Sequence, residues 1–355
     1  MSRFHTLTVA DVRRETPDAV SIALAVPDES RDAFTFASGQ YLTLRTTLDG
    51  AEVRRSYSIS SGLDDGELRI AVKRLDGGLF SSFANASLKV GDRVEAMPPE
   101  GRFGLGIQEG RRTYLGFAAG SGITPILSIA RTVLAREPES RFVLFYGNRD
   151  SSSIIFKAEI EDLKDRFVER LAVHHVLSRE VQDVDLLNGR LDADKAERLA
   201  RTVGDLAQVD AAYLCGPAEM TEAVAGKLVA LGLPAERVRR ELFSTGSEPA
   251  PRRTAAQAAP AAEGARLSVR LDGATHVMTM RADETVLDAA LRQGLDLPYS
   301  CRGGMCCTCR ARIVEGAAAM DQNFSLEPWE IAENFTLTCQ ARPTTPMLAV
   351  DYDTA

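Results

Sequence analysis

The sequence lacks the features that mark several large classes of protein. No apolar run approaches the length that spans a membrane. Residues 1–6 contain no signal-peptide core and lead into an alternating strand pattern. Basic residues are outnumbered, with 42 Lys and Arg against 50 Asp and Glu, and the net charge of −8 argues against nucleic acid as a partner. We therefore expect neither a membrane nor a nucleic acid among its partners.

Cysteine is also sparse, with six in 355 residues, and four of the six are spaced as metal ligands. This usage argues against a disulfide framework and fits a reducing cytoplasm. The length predicts two or three domains, and the 45% of hydrophobic residues suffice for their cores.

Four cysteines near the C-terminus have the spacing of an iron–sulfur site. Cys301, Cys306 and Cys309 give C-x4-C-x2-C, and Cys339 follows one strand–helix–strand length later. Plant-type 2Fe-2S clusters use this ligand pattern. The alternatives are a structural zinc, which usually takes two short-spaced pairs, or a disulfide. We predict that these four cysteines bind a 2Fe-2S cluster.

The loop between these cysteines contains two glycines and one surplus cysteine. Gly303 and Gly304 allow the backbone to turn its N–H groups toward the cluster sulfurs. Cys307 is not needed for the ligand pattern, and we interpret it as a small packed side chain.

Residues 1–107 form the first predicted domain, an antiparallel β-barrel. Short alternating segments are separated by Gly, Pro and Asp, as is typical of closed barrels. The clearest of these segments are residues 4–9, 20–26, 40–44 and 68–72.

One barrel strand carries side chains that suit a flavin nucleotide. Arg55 and Tyr57 are two residues apart, so they lie on the same face of the strand. An arginine fork matches a pyrophosphate, and a tyrosine ring can lie along a flavin. The hydroxyl of Ser58 can donate to a flavin ring nitrogen. Alone, this pattern is more typical of an ordinary exposed strand.

A second barrel segment predicts an anion site, because glycines that open a helix expose free N–H groups. The candidate ligand-binding residues there are Val72, Lys73, Gly78, Ser81 and Ser82.

Residues 108–245 form the second predicted domain, an α/β doubly wound parallel sheet. A buried strand over residues 114–119 runs into a glycine-rich turn and then a helix. Such a turn is where a dinucleotide pyrophosphate binds. We expect Thr124 to cap this helix and Pro125 to be its first residue. The candidate binding residues are Gly120, Gly122, Thr124 and Pro125.

Two later strands of this domain end in polar and basic residues that suit the 2′-phosphate of NADPH. Alternatively, these arginines are solvated loop residues, neutralised by Asp150 and Glu180. We favour NADPH, with NADH as the alternative. The candidate phosphate-binding residues are Asn148, Arg149, Ser178 and Arg179.

Residues 246–264 have no periodicity and are rich in Ala and Pro, as in a linker. Residues 265–355 then predict an α+β β-grasp fold, with a hairpin across Asp272-Gly273 and a helix capped by Thr285. Three arginines surround the cysteine loop, either for docking or as solvated surface residues; they are Arg302, Arg310 and Arg312.

Taken in order, these segments resemble the ferredoxin–NADP reductase superfamily joined to a plant-type ferredoxin. This is the plan of the reductase components of multicomponent oxygenases, including those of the phenylacetyl-CoA epoxidases. The matching segments are Phe4-His5-x-Leu7-Thr8-Val9, Arg54-Arg55-x-Tyr57-Ser58-Ile59, Ala118 to Pro125, Tyr146-Gly147-Asn148-Arg149, Leu287 to Gly294 and Ser325-Leu326-Glu327-Pro328.

The resemblance implies FAD in the barrel and assigns roles to residues that spacing alone does not. Cys215, with Gly216 and Pro217, would lie beside the nicotinamide. Phe243 would lie near the flavin, and Ser58 would bond it. A buried core cysteine is the alternative interpretation of Cys215.

The resemblance also implies an order of electron flow. NADPH gives two electrons, a 2Fe-2S cluster takes one, and FAD stands between them. The implied acceptor is a di-iron phenylacetyl-CoA epoxidase. The alternatives are another hydroxylase or a Rieske-type dioxygenase as acceptor, FMN as the flavin, or a non-catalytic redox-sensing protein.

Overall fold

The computed structural model describes residues 4–243, 264–281 and 283–354. The chain divides into two compact units, Met1–Gly246 and Ser247–Ala355. The predicted linker over residues 246–264 lies outside the described residues except for Gly264.

The first sheet is a closed antiparallel barrel, as predicted. Its strands run in the order β4-β3-β6-β1-β2-β5. The outer strands β4 and β5 meet where Ile59 bridges Ile70 and the N–H of Ser60 donates to the Arg69 carbonyl at 2.8 Å. The strands are β1 (His5–Thr16), β2 (Ala19–Ala25), β3 (Tyr41–Leu48), β4 (Ala51–Ser58), β5 (Leu68–Lys73) and β6 (Arg93–Ala96), and helix α1 (Leu79–Ala86) follows β5.

The barrel closes around an apolar core because alternate residues of each strand point inward. Leu7, Ile22, Leu42 and Ile70 are fully buried there, and Phe80 of α1 covers one end of the cluster.

The second sheet is fully parallel, in the order β11-β10-β7-β8-β9. Two separate cores line its faces, one packed by α2 and α3 and the other by α4 and α5. This confirms the predicted doubly wound fold. The elements are β7 (Thr113–Ala119), α2 (Ile123–Arg136), β8 (Arg141–Asn148), α3 (Lys157–Arg166), β9 (Leu171–Leu177), α4 (Ala193–Val203), β10 (Ala211–Gly216), α5 (Ala218–Ala230) and β11 (Val238–Leu242).

The predicted start of α2 is wrong by two residues. The helix begins at Ile123 with Gly122 as its cap, and no side chain caps it. Thr124 lies inside the first turn, where its hydroxyl donates to the Ser121 carbonyl at 3.0 Å. Pro125 is the third helical residue, a position whose N–H would have no partner in the helix.

The second unit is a mixed sheet in the order β13-β12-β16-β14-β15, with β12 parallel to β16. Helix α6 packs its buried face on this sheet, which confirms the β-grasp prediction. The elements are β12 (Arg266–Leu271), β13 (Ala274–Thr279), α6 (Val286–Arg292), β14 (Arg310–Met320), α7 (Pro328–Ala332), β15 (Phe335–Leu337) and β16 (Ala341–Asp351).

Two local predictions in this unit have different outcomes. Thr285 caps α6 as predicted, with its hydroxyl accepting from the Asp288 N–H at 3.2 Å. The sequence pattern also predicts a strand at Cys339, but this cysteine lies in the turn between β15 and β16. This turn brings Cys339 back toward the cysteine loop.

Candidate functional site

The four predicted cluster ligands come together as two pairs of thiols. Cys301 hydrogen-bonds with Cys306, and Cys309 with Cys339. Cys301 is exposed, whereas Cys309 and Cys339 are buried. No three His, Cys, Asp or Glu side chains among the described residues are placed to hold a metal ion. Two thiol pairs suit two irons with two protein ligands each better than they suit one tetrahedral zinc.

Backbone N–H groups point at these sulfurs, as the glycine-rich loop predicts. Gly303 and Met305 both donate to Cys301 Sγ at 3.4 Å, and Cys301 donates to Cys306 Sγ at 3.5 Å. The Cys306 thiol and then these amides lower the pKa of Cys301 to about 6. Gly304 has a φ of +77°, a backbone conformation that residues with a side chain rarely adopt. The loop amides therefore favour the thiolate of Cys301, whereas the hydrogen bond with the partner cysteine and then burial raise the pKa of Cys306 and Cys309.

Gln340 contributes to this site and was missed at the sequence level. Its side-chain amide donates to Cys339 Sγ at 3.5 Å and to the Arg302 carbonyl at 2.8 Å. It thereby ties the Cys339 turn to the cysteine loop. Its position directly after a predicted ligand was the available signal.

The surplus Cys307 is partly buried and packs against the apolar core of the second unit. Its φ of +54° is unusual for a residue with a side chain. The packing agrees with the interpretation of a small packed residue.

Two of the three arginines around the loop form ion pairs within the second unit, and the third bonds a backbone carbonyl. Arg302 forms an ion pair with Asp288. Arg310 pairs with the buried Glu330 at 2.9 Å and stacks on Phe335. Arg312 is exposed, and its Nε donates to a backbone carbonyl. Structural roles therefore account for Arg302 and Arg310.

In the barrel, Arg55 and Tyr57 share one face of β4, as predicted. The Tyr57 ring lies 5.4 Å from that of Phe80 of α1, measured between centroids. The exposed Arg55 donates to the Arg54 carbonyl at 2.7 Å, and its charge acts on the Tyr57 hydroxyl. Burial outweighs this charge and raises the pKa of Tyr57. A flat aromatic face thus lies beside a cation.

The turn that opens α1 depends on a glycine. A Cβ on Gly78 would lie 2.4 Å from Ser81 Oγ. That hydroxyl donates to the Gly78 carbonyl at 3.2 Å and accepts from the Leu75 N–H at 3.1 Å. Ser81 therefore shapes the turn. The Ser82 N–H also bonds the Gly78 carbonyl, and the Val72 carbonyl accepts from Asn85.

The barrel and the parallel sheet meet at a buried carboxyl group that the sequence analysis missed. Ser58 Oγ donates to Glu241 Oε2 at 3.1 Å. Glu241 of β11 lies opposite Cys215 of β10 in the sheet register. Burial raises the pKa of Glu241 to about 7. The pKa of Cys215 is also raised, mainly by burial and to a smaller extent by the charge of Glu241. Phe243, two residues after Glu241, donates its N–H to the Gly216 carbonyl at 3.0 Å.

The glycine turn before α2 lies directly beside this group. A Cβ on Gly122 would be 2.2 Å from the Cys215 carbonyl oxygen, so only glycine allows this approach. Gly120 has a φ of +53°, and its carbonyl accepts from the Tyr146 hydroxyl at 2.9 Å. The Tyr146 hydroxyl thus holds the carbonyl side of the turn. The N–H groups of the turn are the candidate contacts for a ligand.

Lys73 was predicted to bind on the flavin side, yet its ammonium lies next to the glycine turn. A Cβ placed on Gly120 would be 3.5 Å from Lys73 Nζ. Burial lowers the pKa of Lys73, and Asp18 opposes that change. The barrel therefore contributes a cation to the predicted pyrophosphate site.

The predicted phosphate-binding residues do come together. Ser178 and Arg179 donate backbone N–H groups to the carbonyls of Asn148 and Arg149, at 3.0 and 2.7 Å. The Asn148 side-chain amide hydrogen-bonds with the Tyr146 hydroxyl. The amide is therefore held beside the two arginines.

The two arginines differ in their partners. Arg149 pairs with Asp18 of the barrel at 2.7 Å, a contact that the sequence analysis missed. Glu180, expected to neutralise an arginine, accepts from the Ser151 N–H instead. Arg179 is exposed and forms no ion pair within the described parts of the chain. Arg179 is therefore the better candidate for a phosphate.

Three family models match successive parts of the chain. Residues 6–104 match an oxidoreductase FAD-binding domain, and residues 117–226 match an oxidoreductase NAD-binding domain. Residues 269–344 match a 2Fe-2S iron-sulfur cluster binding domain. The chain therefore contains domains for FAD, a nicotinamide nucleotide and a 2Fe-2S cluster.

Curated relatives match over nearly the whole chain. One subunit of the 1,2-phenylacetyl-CoA epoxidase of Escherichia coli K12 is 44% identical, over 99% of both chains. The ferredoxin reductase component of 3-ketosteroid-9-alpha-monooxygenase from Rhodococcus rhodochrous is 35% identical, over 99% of this chain and 97% of its own.

Solved structures show the same fold. Phthalate dioxygenase reductase is similar with a TM-score of 0.58 and 23% identity, over 98% of each chain. Within the described residues, no helix has both the length and the apolar character needed to cross a bilayer.

Proposed function

The chain belongs to the reductase components of multicomponent oxygenases, in the ferredoxin–NADP reductase superfamily, and from this premise we propose that its acceptor is a di-iron oxygenase that epoxidises phenylacetyl-CoA. The observation that carries the proposal is the 44% identity to one component of such an epoxidase, which extends over 99% of both chains. The match extends over all three cofactor domains in the same chain.

When bound, the nicotinamide supplies paired electrons, FAD accepts the pair and releases it singly, and the 2Fe-2S cluster carries one electron at a time. The chain's own part is placement. Gly122 keeps the turn close to Cys215, so that the nucleotide binds at the carboxyl edge of the sheet. Ser58 bonds Glu241 at the same edge, where the two domains of the first unit meet.

Glu241 can hold a proton at neutral pH because its pKa is about 7. In that state the carboxyl and the Ser58 hydroxyl form a neutral pair, with no net charge beside the bound flavin. Cys215, with its raised pKa, remains an uncharged thiol and is fully buried in the core on one face of the parallel sheet, as in the alternative interpretation of this residue. Ser58 and Glu241 would orient the reactants, and neither needs to transfer a proton to substrate.

We assign the nucleotide as NADPH because Arg179 is exposed and forms no ion pair within the described residues. The cluster ligands would be the two thiol pairs, Cys301 with Cys306 and Cys309 with Cys339. All six cysteines are free thiols, and this supports a reducing, cytoplasmic location.

The domain limits are part of the same proposal: 1–107 for FAD, 108–245 for the nucleotide, 246–264 as linker and 265–355 for the cluster. Support comes from the separate sheets and from family matches that fall inside these limits.

A second acceptor is favoured by the 35% identity to the ketosteroid monooxygenase reductase, also over nearly the full chain. The internal chemistry would be unchanged, and only the docked oxygenase would differ.

Reconstitution separates the two acceptors. The purified holoprotein is mixed with the oxygenase component of a phenylacetyl-CoA epoxidase, NADPH and phenylacetyl-CoA, and epoxide formation is measured. We expect turnover that depends on all components. Turnover with the ketosteroid oxygenase and none with the epoxidase would reject the named acceptor.

A further inference from the structure

Helix α7 displays large apolar side chains to solvent. Trp329, the single tryptophan of the chain, is 52% exposed, and Ile331 is 46% exposed. Tryptophan is among the residues that most often dominate the binding energy of protein interfaces. Ile331 is two positions further along the helix, so its side chain leaves from a different side of α7 and Trp329 is the centre of the exposed apolar surface.

The helix is attached to the cysteine loop. The Phe324 N–H and the Ser325 hydroxyl, just before α7, both donate to the Gly304 carbonyl at 3.1 Å. Within α7, Glu330 pairs with Arg310, the residue after Cys309. A protein seated on α7 is therefore held next to the loop that carries the candidate cluster ligands.

Acidic residues border this apolar surface. Glu327 and Glu333 are exposed at the two ends of α7. Neither forms an ion pair with another described residue. The exposed Arg312 donates to the Glu333 backbone carbonyl, whereas Arg302 and Arg310 pair with Asp288 and Glu330. From residue 265 onward the chain has 12 acidic residues against 8 arginines.

We propose that Trp329, with Glu327 and Glu333 at the two ends of α7, forms the surface on which the oxygenase partner docks. The matching surface of that partner is an apolar pocket with lysines or arginines at its edge. This inference rests on the proposed function, because it requires a protein that takes electrons at the cluster.

The position of α7 next to the cysteine loop explains why an electron acceptor would dock there. Electron transfer requires the acceptor to approach the cluster, and Cys301 is the exposed ligand. Docking on α7 covers the adjoining loop and excludes water from the path. The acidic border steers a basic partner during approach, and the tryptophan supplies most of the retained affinity.

The test uses full-length holoprotein with Trp329→Ala. Its matched control is Val277→Ala, an apolar residue 53% exposed on β13, at the opposite edge of the sheet from β15. For each variant we measure the EPR signal of the reduced cluster, NADPH oxidation with ferricyanide, and the reductase concentration that half-saturates phenylacetyl-CoA epoxidation.

We expect Trp329→Ala to raise the half-saturating concentration about tenfold or more, a typical cost for losing a central interface tryptophan. The EPR signal and the ferricyanide rate stay at the wild-type level, and Val277→Ala changes none of the three. An unchanged half-saturating concentration in Trp329→Ala would overturn the proposal.

A charge variant guards against misfolding of the tryptophan variant. Glu333→Lys should weaken coupling at low salt and reduce the salt dependence of the half-saturating concentration. If it leaves both unchanged, the acidic border plays no part in docking and the proposal fails.

Failure of the proposed function is distinguishable from failure of this surface. If wild-type protein does not support epoxidation, the epoxidase assignment falls. The same variants are then measured with the ketosteroid oxygenase component, where a selective loss in Trp329→Ala supports the surface and an equal rate rejects it.

Discussion

Replacing Glu241 with glutamine removes a pH-dependent cost to the stability of the first unit. The carboxyl of Glu241 is buried beside Ser58, and this burial raises its pKa from 4.5 to about 7. The folded protein therefore binds the proton more tightly than the unfolded chain. The resulting stabilisation is fully present below pH 4.5 and is lost as pH rises through 7.

The size of the effect follows from the shift. A difference of about 2.5 pKa units corresponds to about 3 kcal/mol between low and high pH. Integrating between pH 5.5 and 8.5 leaves about 2 kcal/mol, because part of the change already lies below pH 5.5. Glutamine keeps the size and the hydrogen-bonding capacity toward Ser58, but it cannot ionise.

The assay is urea unfolding of the holoprotein, followed by the fluorescence of released flavin, at pH 5.5 and 8.5. The difference in unfolding free energy between Glu241→Gln and wild type should grow by about 2 kcal/mol in favour of the variant at the higher pH. Glu236→Gln, at an exposed position nearby, is the control and should show no such growth. A difference that is the same at both pH values would refute the assignment of a buried, raised carboxyl.

The remaining predictions concern the cluster, the nucleotide and the turn before α2. Serine at any one of the predicted ligands should abolish the cluster's visible absorption and EPR signal, whereas Cys307→Ser keeps both; loss of the signal in Cys307→Ser would reassign the ligands. Arg179→Ala should lower the ratio of kcat/KM for NADPH to kcat/KM for NADH about tenfold, because a charge-assisted contact with the 2′-phosphate is lost. An unchanged ratio would show that the phosphate binds elsewhere. Gly122→Ala places a Cβ 2.2 Å from the Cys215 carbonyl oxygen and should slow flavin reduction by NADPH more than about tenfold. As a control, the dithionite-reduced cluster of this variant should give a normal EPR signal. A normal rate of flavin reduction would contradict the close approach.

Local features of this fold were predictable because short segments determine them. The cysteine spacing and the two glycines predicted a loop that turns its amides to the sulfurs, and those bonds are present. Thr285 and Asp288 form a capping box within four residues of sequence. In each case the interacting groups are close along the chain.

Contacts between distant residues could not be predicted in this way. Ser58 and Glu241 are 183 positions apart, and Asp18 and Arg149 are 131 apart. Each pair forms only because the barrel packs on the parallel sheet, and neither acid belongs to a motif. Glu241 lies in the partly exposed strand β11, and the sequence around it gives no sign of its contact with Ser58.

Small errors occurred where two local signals competed. Thr124 followed by proline has the pattern of a helix start, but the close approach of Gly122 to Cys215 moves the helix start back to Ile123. The same packing restraint determines where a nucleotide would bind.

The most direct test of the account is an anaerobic titration of the purified holoprotein with NADPH, followed by visible absorption and EPR. The account predicts bleaching of one FAD and appearance of the signal of one reduced 2Fe-2S cluster for each chain. Complete reduction of the flavin while the cluster stays oxidised would contradict the claim that one polypeptide carries electrons from a nicotinamide to an iron–sulfur cluster.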